Sequence, residues 1–194
     1  MNKAELEEQV ASYTHRTDLS MQIGGFIDLA TARIGRDLRS DWNFKTIEAA
    51  INSVPYEMPA DFREVRLISS PQGAGTLQLR SAPAHEFSKV SGSGLPAWYR
   101  LTGRLLHIAP FQARNYTIEY WTTPDALELS TDTNDVLEQY PYLYLYGALV
   151  EAGIYLQDPD MELRYRDKYL EDLGIVNAES AQRRTGDAPA MRAI

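Results

Sequence analysis

The stretch Leu38-Arg39-Ser40-Asp41-Trp42-Asn43-Phe44-Lys45-Thr46-Ile47-Glu48-Ala49-Ala50-Ile51 is where the hydrophobic period of the chain changes. Before it, Leu19, Ile23, Phe26, Ile27, Ala30, Ile34 and Leu38 recur mostly at steps of three and four, the seam of one amphipathic helix. After it, Ile47, Ala49 and Ile51 alternate with Thr46, Glu48 and Asn52, the two-residue period of a strand with one buried face. The chain therefore passes here from a helical section into a β section.

Toward the amino terminus, Leu6, Val10 and Tyr13 predict a short helix over Lys3 to Tyr13. Its Glu5, Glu7 and Glu8 face water and suit the positive end of a helix. Thr17 and Asp18 are the expected caps of the second helix. Gly24-Gly25 inside that helix costs up to about 1 kcal/mol per glycine relative to alanine. The pair is read as a close approach of another backbone, with a kink as the alternative.

Toward the carboxy terminus, Pro55, Pro59, Pro71, Pro83 and Pro96 cut the chain into short pieces, among them Phe62 to Ile68 and Thr76 to Arg80. Ser91-Gly92-Ser93-Gly94 reads as a flexible surface loop too short to separate domains. Trp98 to Thr102 and Leu105 to Ala109 flank Gly103-Arg104, a predicted tight hairpin with glycine at positive φ. Another strand is expected at Tyr116 to Trp121. Beyond Pro124 the helical pattern returns, with Thr133, Asn134 or Asp135 as caps and Pro141 in the first turn of a segment running to about Leu156. Asp158-Pro159 repeats the start signal. The next helix carries Leu163, Tyr165, Tyr169, Leu170 and Leu173 and ends near Ser180.

The expected fold is α+β: an antiparallel bundle of about four helices with a small antiparallel β subdomain inserted between helices two and three. The expected boundaries are 1–40 and 125–180 for the bundle, 41–124 for the β subdomain and 181–194 for a flexible carboxy-terminal tail.

Composition narrows function. The chain has 194 residues, 44% of them hydrophobic and 24% charged, an ordinary globular balance able to bury a core. The absence of cysteine excludes disulfides, thiolate metal sites and a cysteine nucleophile, and fits a reducing compartment. A net charge of −8 argues against wrapping nucleic acid or lying on an anionic membrane. No signal peptide is expected from Met1-Asn2-Lys3-Ala4-Glu5, and the longest apolar run, Tyr142 to Val150, is about half of a membrane span.

No catalytic, cofactor or metal site is expected. His15, His85 and His107 are scattered and lack metal-ligand spacing, and His107 reads as a strand residue. The carboxylate pairs Glu7/Glu8 and Asp158/Asp160 fall on solvent faces or helix caps. Gly73-Ala74-Gly75 precedes a strand rather than opening a helix, so it is not a phosphate loop. Ser91-Gly92-Ser93-Gly94 lacks the strand-turn-helix setting of a nucleophile elbow.

Two features stand out. Seven of twelve tyrosines lie between Tyr140 and Tyr169. Tyr140, Tyr142, Tyr144 and Tyr146 are the candidate subunit interface, because alternate residues sit about 200° apart on a helix and cannot all face one core. Tyrosine is enriched at protein interfaces, a Tyr-rich core being the competing reading. The other feature is the segment from Ala181, where Arg183, Arg184 and Arg192 against Asp187 give +2 and leave −10 on the body. Its end, Met191-Arg192-Ala193-Ile194, is apolar around one cation.

The order of these features resembles the head-to-tail adaptor (connector) proteins of tailed bacteriophages, including the tubular tail adaptors of short-tailed phages. The resemblance covers nearly all of 1–180. It rests on Ile23 to Leu38 with Trp42-Asn43-Phe44, on Met58-Pro59-Ala60-Asp61-Phe62, and on Pro96-Ala97-Trp98-Tyr99-Arg100-Leu101 with the hairpin Gly103 to Pro110. It also rests on Tyr120 with Leu129-Ser130 and on Tyr142-Leu143-Tyr144-Leu145-Tyr146-Gly147-Ala148-Leu149.

The resemblance implies a structural protein of the virion neck, assembled in the host cytoplasm, forming a ring of usually twelve copies below the portal. Such a ring extends the DNA channel, joins capsid to tail and meets a downstream tail or nozzle protein. It also implies that Gln182 to Ile194 reach the portal, making Arg183, Arg184, Met191, Arg192 and Ile194 the portal-binding candidates. Twelve copies at −8 each carry −96, and such a wall lets duplex DNA pass without specific binding. The competing readings are a stopper or tail-completion protein, a carboxylate-dependent hydrolase and an independent DNA-binding module.

Overall fold

The computed structural model describes residues 1–90 and 93–185. In chain order the first elements are α1 (Lys3–Thr14), α2 (Ser20–Asp37), a 3-10 turn (Asp41–Asn43), β1 (Phe44–Ile51), β2 (Tyr56–Glu57), β3 (Phe62–Gln72) and β4 (Gly75–Ser81). They are followed by α3 (Ala84–Phe87), β5 (Trp98–Thr102), β6 (Leu105–Ala109), β7 (Arg114–Thr122), α4 (Asp135–Gln139), α5 (Pro141–Leu156) and α6 (Pro159–Thr185). The chain divides into two compact units, a helical one made of residues 1–43 and 123 onward, and a β one, Phe44–Thr122.

In the helical unit α5 is apolar nearly all round. Leu143, Tyr144, Leu145, Ala148, Leu149, Val150 and Ala152 are buried, as a helix surrounded by others requires. It packs against α1, α2 and α6. Asn2 opens α1 with a capping box: its side chain accepts from the Glu5 amide at 2.9 Å, and Glu5 accepts from the Asn2 amide at 3.1 Å. The expected caps of α2 are not used. Asp18 is held by Arg16 at 2.8 and 2.6 Å, and the helix starts after Leu19 with no side-chain cap. At its far end the Asn177 side chain accepts from the Arg39 amide at 2.7 Å and donates to the Asp37 carbonyl at 3.2 Å.

The close backbone approach assigned to Gly24-Gly25 lies elsewhere. Nothing comes within 4 Å of a Cβ built on Gly25, and Gly24 meets only the end of Glu7 at 3.9 Å. A Cβ on Gly147 would stand 3.0 Å from Ala30 Cβ, and one on Gly153 would stand 2.8 Å from the Glu162 amide nitrogen. These two glycines set the α5–α2 and α5–α6 separations. Arg33 of α2 and Glu151 of α5 form a half-buried ion pair. Along α6 the buried line is Tyr169, Leu173, Val176 and Ser180, whereas Leu163 and Leu170 face outward. The helix runs five residues beyond the expected end at Ser180, to Thr185.

The expectation of a four-helix bundle carrying a small antiparallel β subdomain is overturned. The described residues contain six helices and a seven-stranded mixed sheet, in the order β1-β7-β3-β4-β5-β6-β2, that curls into a nearly closed barrel. β4 and β5 run parallel, Arg80 beside Trp98 and Ser81 beside Tyr99. The intervening connection, with α3 in it, carries the chain back before the second strand begins, as a parallel pair requires. Alternation along each strand is blind to that choice.

The sheet encloses its own core. Ile51, Met58, Ile68, Leu106, Tyr116, Ile118 and Tyr120 are buried in it, with Tyr116, Ile118 and Tyr120 on alternate positions of β7. The Tyr116 hydroxyl donates to the Gln112 carbonyl at 2.9 Å and that of Tyr120 donates to Asp61 at 3.3 Å. Thr102 pairs with Leu105 around Gly103 at φ 61°, and Gln72 pairs with Gly75 around Gly73 at φ 57°. Gly73-Ala74-Gly75 is thus a hairpin turn. Ser91 and Gly92 lie outside the described residues.

Candidate interaction surface

Tyr140 closes α4 and immediately opens α5, with Pro141 in the first helical position, where its missing amide costs nothing. The tyrosines that follow divide by helical geometry. Tyr142 and Tyr146, four residues apart, share a face and stack with ring centres 5.9 Å apart. Tyr146 stacks in turn on Tyr165 of α6 at 6.1 Å, and Tyr165 meets Tyr13 of α1 edge-on at 6.3 Å. The Lys168 ammonium sits 5.7 Å from the Tyr146 ring centre. The result is a ladder of four rings across three helices, with Tyr142 58% exposed at its outer end.

Tyr144 is not part of that surface. It points to the opposite side of α5, is wholly buried, and its hydroxyl accepts from Asn134 at 2.9 Å. Asn134 also caps α4 by accepting from the Leu137 amide at 2.8 Å. Burial pushes the Tyr144 hydroxyl up to about 12, because the phenolate has no water there. Of the four tyrosines named as a subunit interface, Tyr144 therefore belongs to the subunit's own core.

Beside the ladder a cleft of about 390 Å³ opens between the α4–α5 junction and α6. Glu138, Tyr140, Tyr142, Asp172, Ile175 and Val176 line it. Its walls are apolar and its charged groups are carboxylates. Burial, and then the neighbouring charge of Glu171, raise the Asp172 carboxyl above its ordinary value, while Lys168 acts against them. Ile175 is half exposed at the cleft, an apolar side chain left in water.

Arg183 lies on the last turns of α6 and turns back onto this region. Its guanidinium donates to the Tyr140 hydroxyl at 3.5 Å and stands 3.8 Å from Asp41. Contacts this long between exposed groups contribute little to stability. They nevertheless bring one portal-binding candidate and one interface tyrosine together. The side chain of Arg184 and all of Met191, Arg192 and Ile194 lie outside the described residues.

The three histidines stay apart in role. His15 closes α1 at φ 53°, His85 is exposed on α3, and His107 on β6 meets Phe87 edge-on at 6.5 Å. Asp158 accepts from the Met161 amide at 2.9 Å and caps α6. Among the described residues no group of three or more His, Asp or Glu side chains is placed to hold a metal ion.

A family model described as SU10 adaptor protein matches residues 1–193. The chain belongs to the SU10 adaptor protein family. A search of curated proteins returns no match. Membership makes this SU10 adaptor protein a structural component of a phage, with the neck as its place in the virion. Among the described residues no helix is long and apolar enough to cross a membrane.

Of the ladder's members Tyr142 and Tyr146 are among the interface candidates of the sequence, whereas Tyr13 and Tyr165 are expected on the apolar seams of their helices, and the cleft beside them is not foreseen. Glu138, Asp172 and Ile175 are far apart in sequence, and only the packing of α6 along the α4–α5 junction assembles them. The one local signal was Ile175, an isoleucine off the buried line of α6.

Proposed function

We propose that this SU10 adaptor protein assembles as a ring, usually of twelve copies, under the portal. There it extends the DNA channel and joins the capsid to a downstream tail or nozzle protein. The match to the adaptor family over residues 1–193 carries the reading. The exposed ladder ending at Tyr142 supports a subunit contact, since stacked aromatic area with polar tips is what protein interfaces favour. Tyr140, Tyr142 and Tyr146 are the interface candidates that remain. A closed ring uses heterologous contacts, one face of each copy meeting the opposite face of the next.

Subunits at −8 each repel, so these contacts must be apolar or pair arginine with carboxylate, and arginine supplies fifteen of nineteen cations. A channel of that charge does not hold duplex DNA by counterion release. DNA slides through it without sequence reading.

The tail is assigned to the portal. A chain ending at Thr185 keeps every helix and strand described here, and its capture by immobilised portal is expected to fall well below that of the full chain. Equal capture of the two chains removes the tail from portal binding. Electron microscopy of the full chain with and without portal places the ring: direct portal contact supports the adaptor, and a position one layer further down makes it a stopper.

A further inference from the structure

The cleft at the α4–α5 junction has walls suited to an extended peptide and lies beside the last described turns of α6. Tyr140 lines the cleft and is touched by Arg183, two residues before Thr185, the last residue of α6. The nine residues that follow, Gly186-Asp187-Ala188-Pro189-Ala190-Met191-Arg192-Ala193-Ile194, reach about 30 Å when extended. The return path is shorter. From Thr185 back to Val176 the helix rises only about 14 Å.

The chemistry matches. Met191 and Ile194 are apolar side chains for the walls formed by Tyr142, Ile175 and Val176. Arg192 lies between them and is the one cation of 186–194, while Glu138 and Asp172 are the charged groups of the cleft. Among the described residues Asp172 makes no hydrogen bond, and burial beside Glu171 disfavours its carboxylate, so an arriving guanidinium relieves it.

We propose that this cleft is the seat of the chain's own residues 186–194. The segment folds back along α6, sets Met191 and Ile194 against Tyr142 and Ile175, and brings Arg192 to Glu138 and Asp172. Seating covers the outer end of the tyrosine ladder. A segment held in the cleft is not free for an external partner, so cleft and partner compete for it. On the portal reading given above, and resting on it, portal capture empties the cleft and uncovers Tyr142 for the neighbouring copy. The seating itself does not rest on that reading.

Methyl NMR of the full chain and of the chain ending at Thr185 tests the seating with no portal present, so its failure and that of portal binding are separate results. In the full chain, nuclear Overhauser contacts are expected from the Ile175 methyls to Met191 and Ile194. In the shortened chain the Ile175 and Val176 resonances move, and a synthetic peptide of residues 186–194 returns them. Asp172→Lys is expected to abolish the contacts while leaving the Ile68 and Ile118 methyls of the sheet unit in place, and pairing it with Arg192→Asp to restore them. Identical Ile175 and Val176 resonances in the two chains overturn the proposal, as do contacts that survive Asp172→Lys unchanged. Contacts seen only between differently labelled copies overturn it in favour of a seat for a second copy's segment.

Discussion

Gly153→Ala is expected to destabilise the helical unit by about 1–3 kcal/mol, the usual cost of forcing an extra methyl into a filled contact. The added Cβ would stand 2.8 Å from the Glu162 nitrogen and 3.0 Å from its Cα. Both are backbone atoms of α6, so no side-chain rotation relieves the overlap and the two helices must separate. The same substitution at Gly25 in α2 or Gly174 in α6 is expected to act in the opposite direction. Both positions are exposed helix interior, and no atom lies within 4 Å of the new methyl. Alanine there gains up to about 1 kcal/mol of helix propensity. Denaturant midpoints read by far-ultraviolet circular dichroism separate the three variants. A neutral Gly153→Ala would mean that α5 and α6 do not pack at this separation.

Raising the pH from 10 to 12 is expected to remove about 2 kcal/mol of stability through Tyr144 alone. Its hydroxyl is raised by burial to about 12, against an ordinary value near 10. Below pH 10 the phenol is neutral in both folded and unfolded chains, and the contribution is fully present. Between 10 and 12 the unfolded chain releases the proton while the folded one cannot, so stability falls with each step, and the contribution is gone once pH passes the folded value. Tyr169, raised by burial first and then by Asp37, adds to the same loss in the same unit. Tyr144→Phe loses the hydrogen bond from Asn134, about 1 kcal/mol at neutral pH, but flattens the alkaline decline. Denaturation at intervals from pH 8 to 12 measures both slopes. Parallel slopes for the two chains would contradict the burial of the Tyr144 hydroxyl.

What could be read from the residues follows from how local each signal is. The strands around Ile47, Leu77, Leu101, Ile108 and Ile118 appear where alternation places them, because the period of a strand is written in its own side chains. Pro141 and Asp158-Pro159 begin helices where expected, since first-turn chemistry needs no distant partner. Tyr144 was bound to leave the face of Tyr142 and Tyr146 for the same local reason, although which side would be core was not visible.

The readings that failed depended on choices made elsewhere in the chain. Asp18 had the side chain for a cap, but Arg16, two residues away, takes it. Gly24-Gly25 looked like a packing site, yet the tight contacts fall at Gly147 and Gly153, where the partner atoms belong to Ala30 and Glu162. The parallel β4–β5 pair, and with it a seven-stranded sheet in place of a small antiparallel one, is set by how the α3 connection returns. The cleft likewise exists only once Asp172 and Ile175 lie beside Tyr140.

The central claim is that this SU10 adaptor protein acts by gripping its own copies and a coaxial partner in the neck of the particle. An electron cryomicroscopy map of the intact virion tests it most directly. The expected result is a closed ring between portal and tail into which the helical unit and the sheet unit both fit, with Tyr142 at or near a subunit boundary. A neck whose density is fully accounted for by other chains would contradict it.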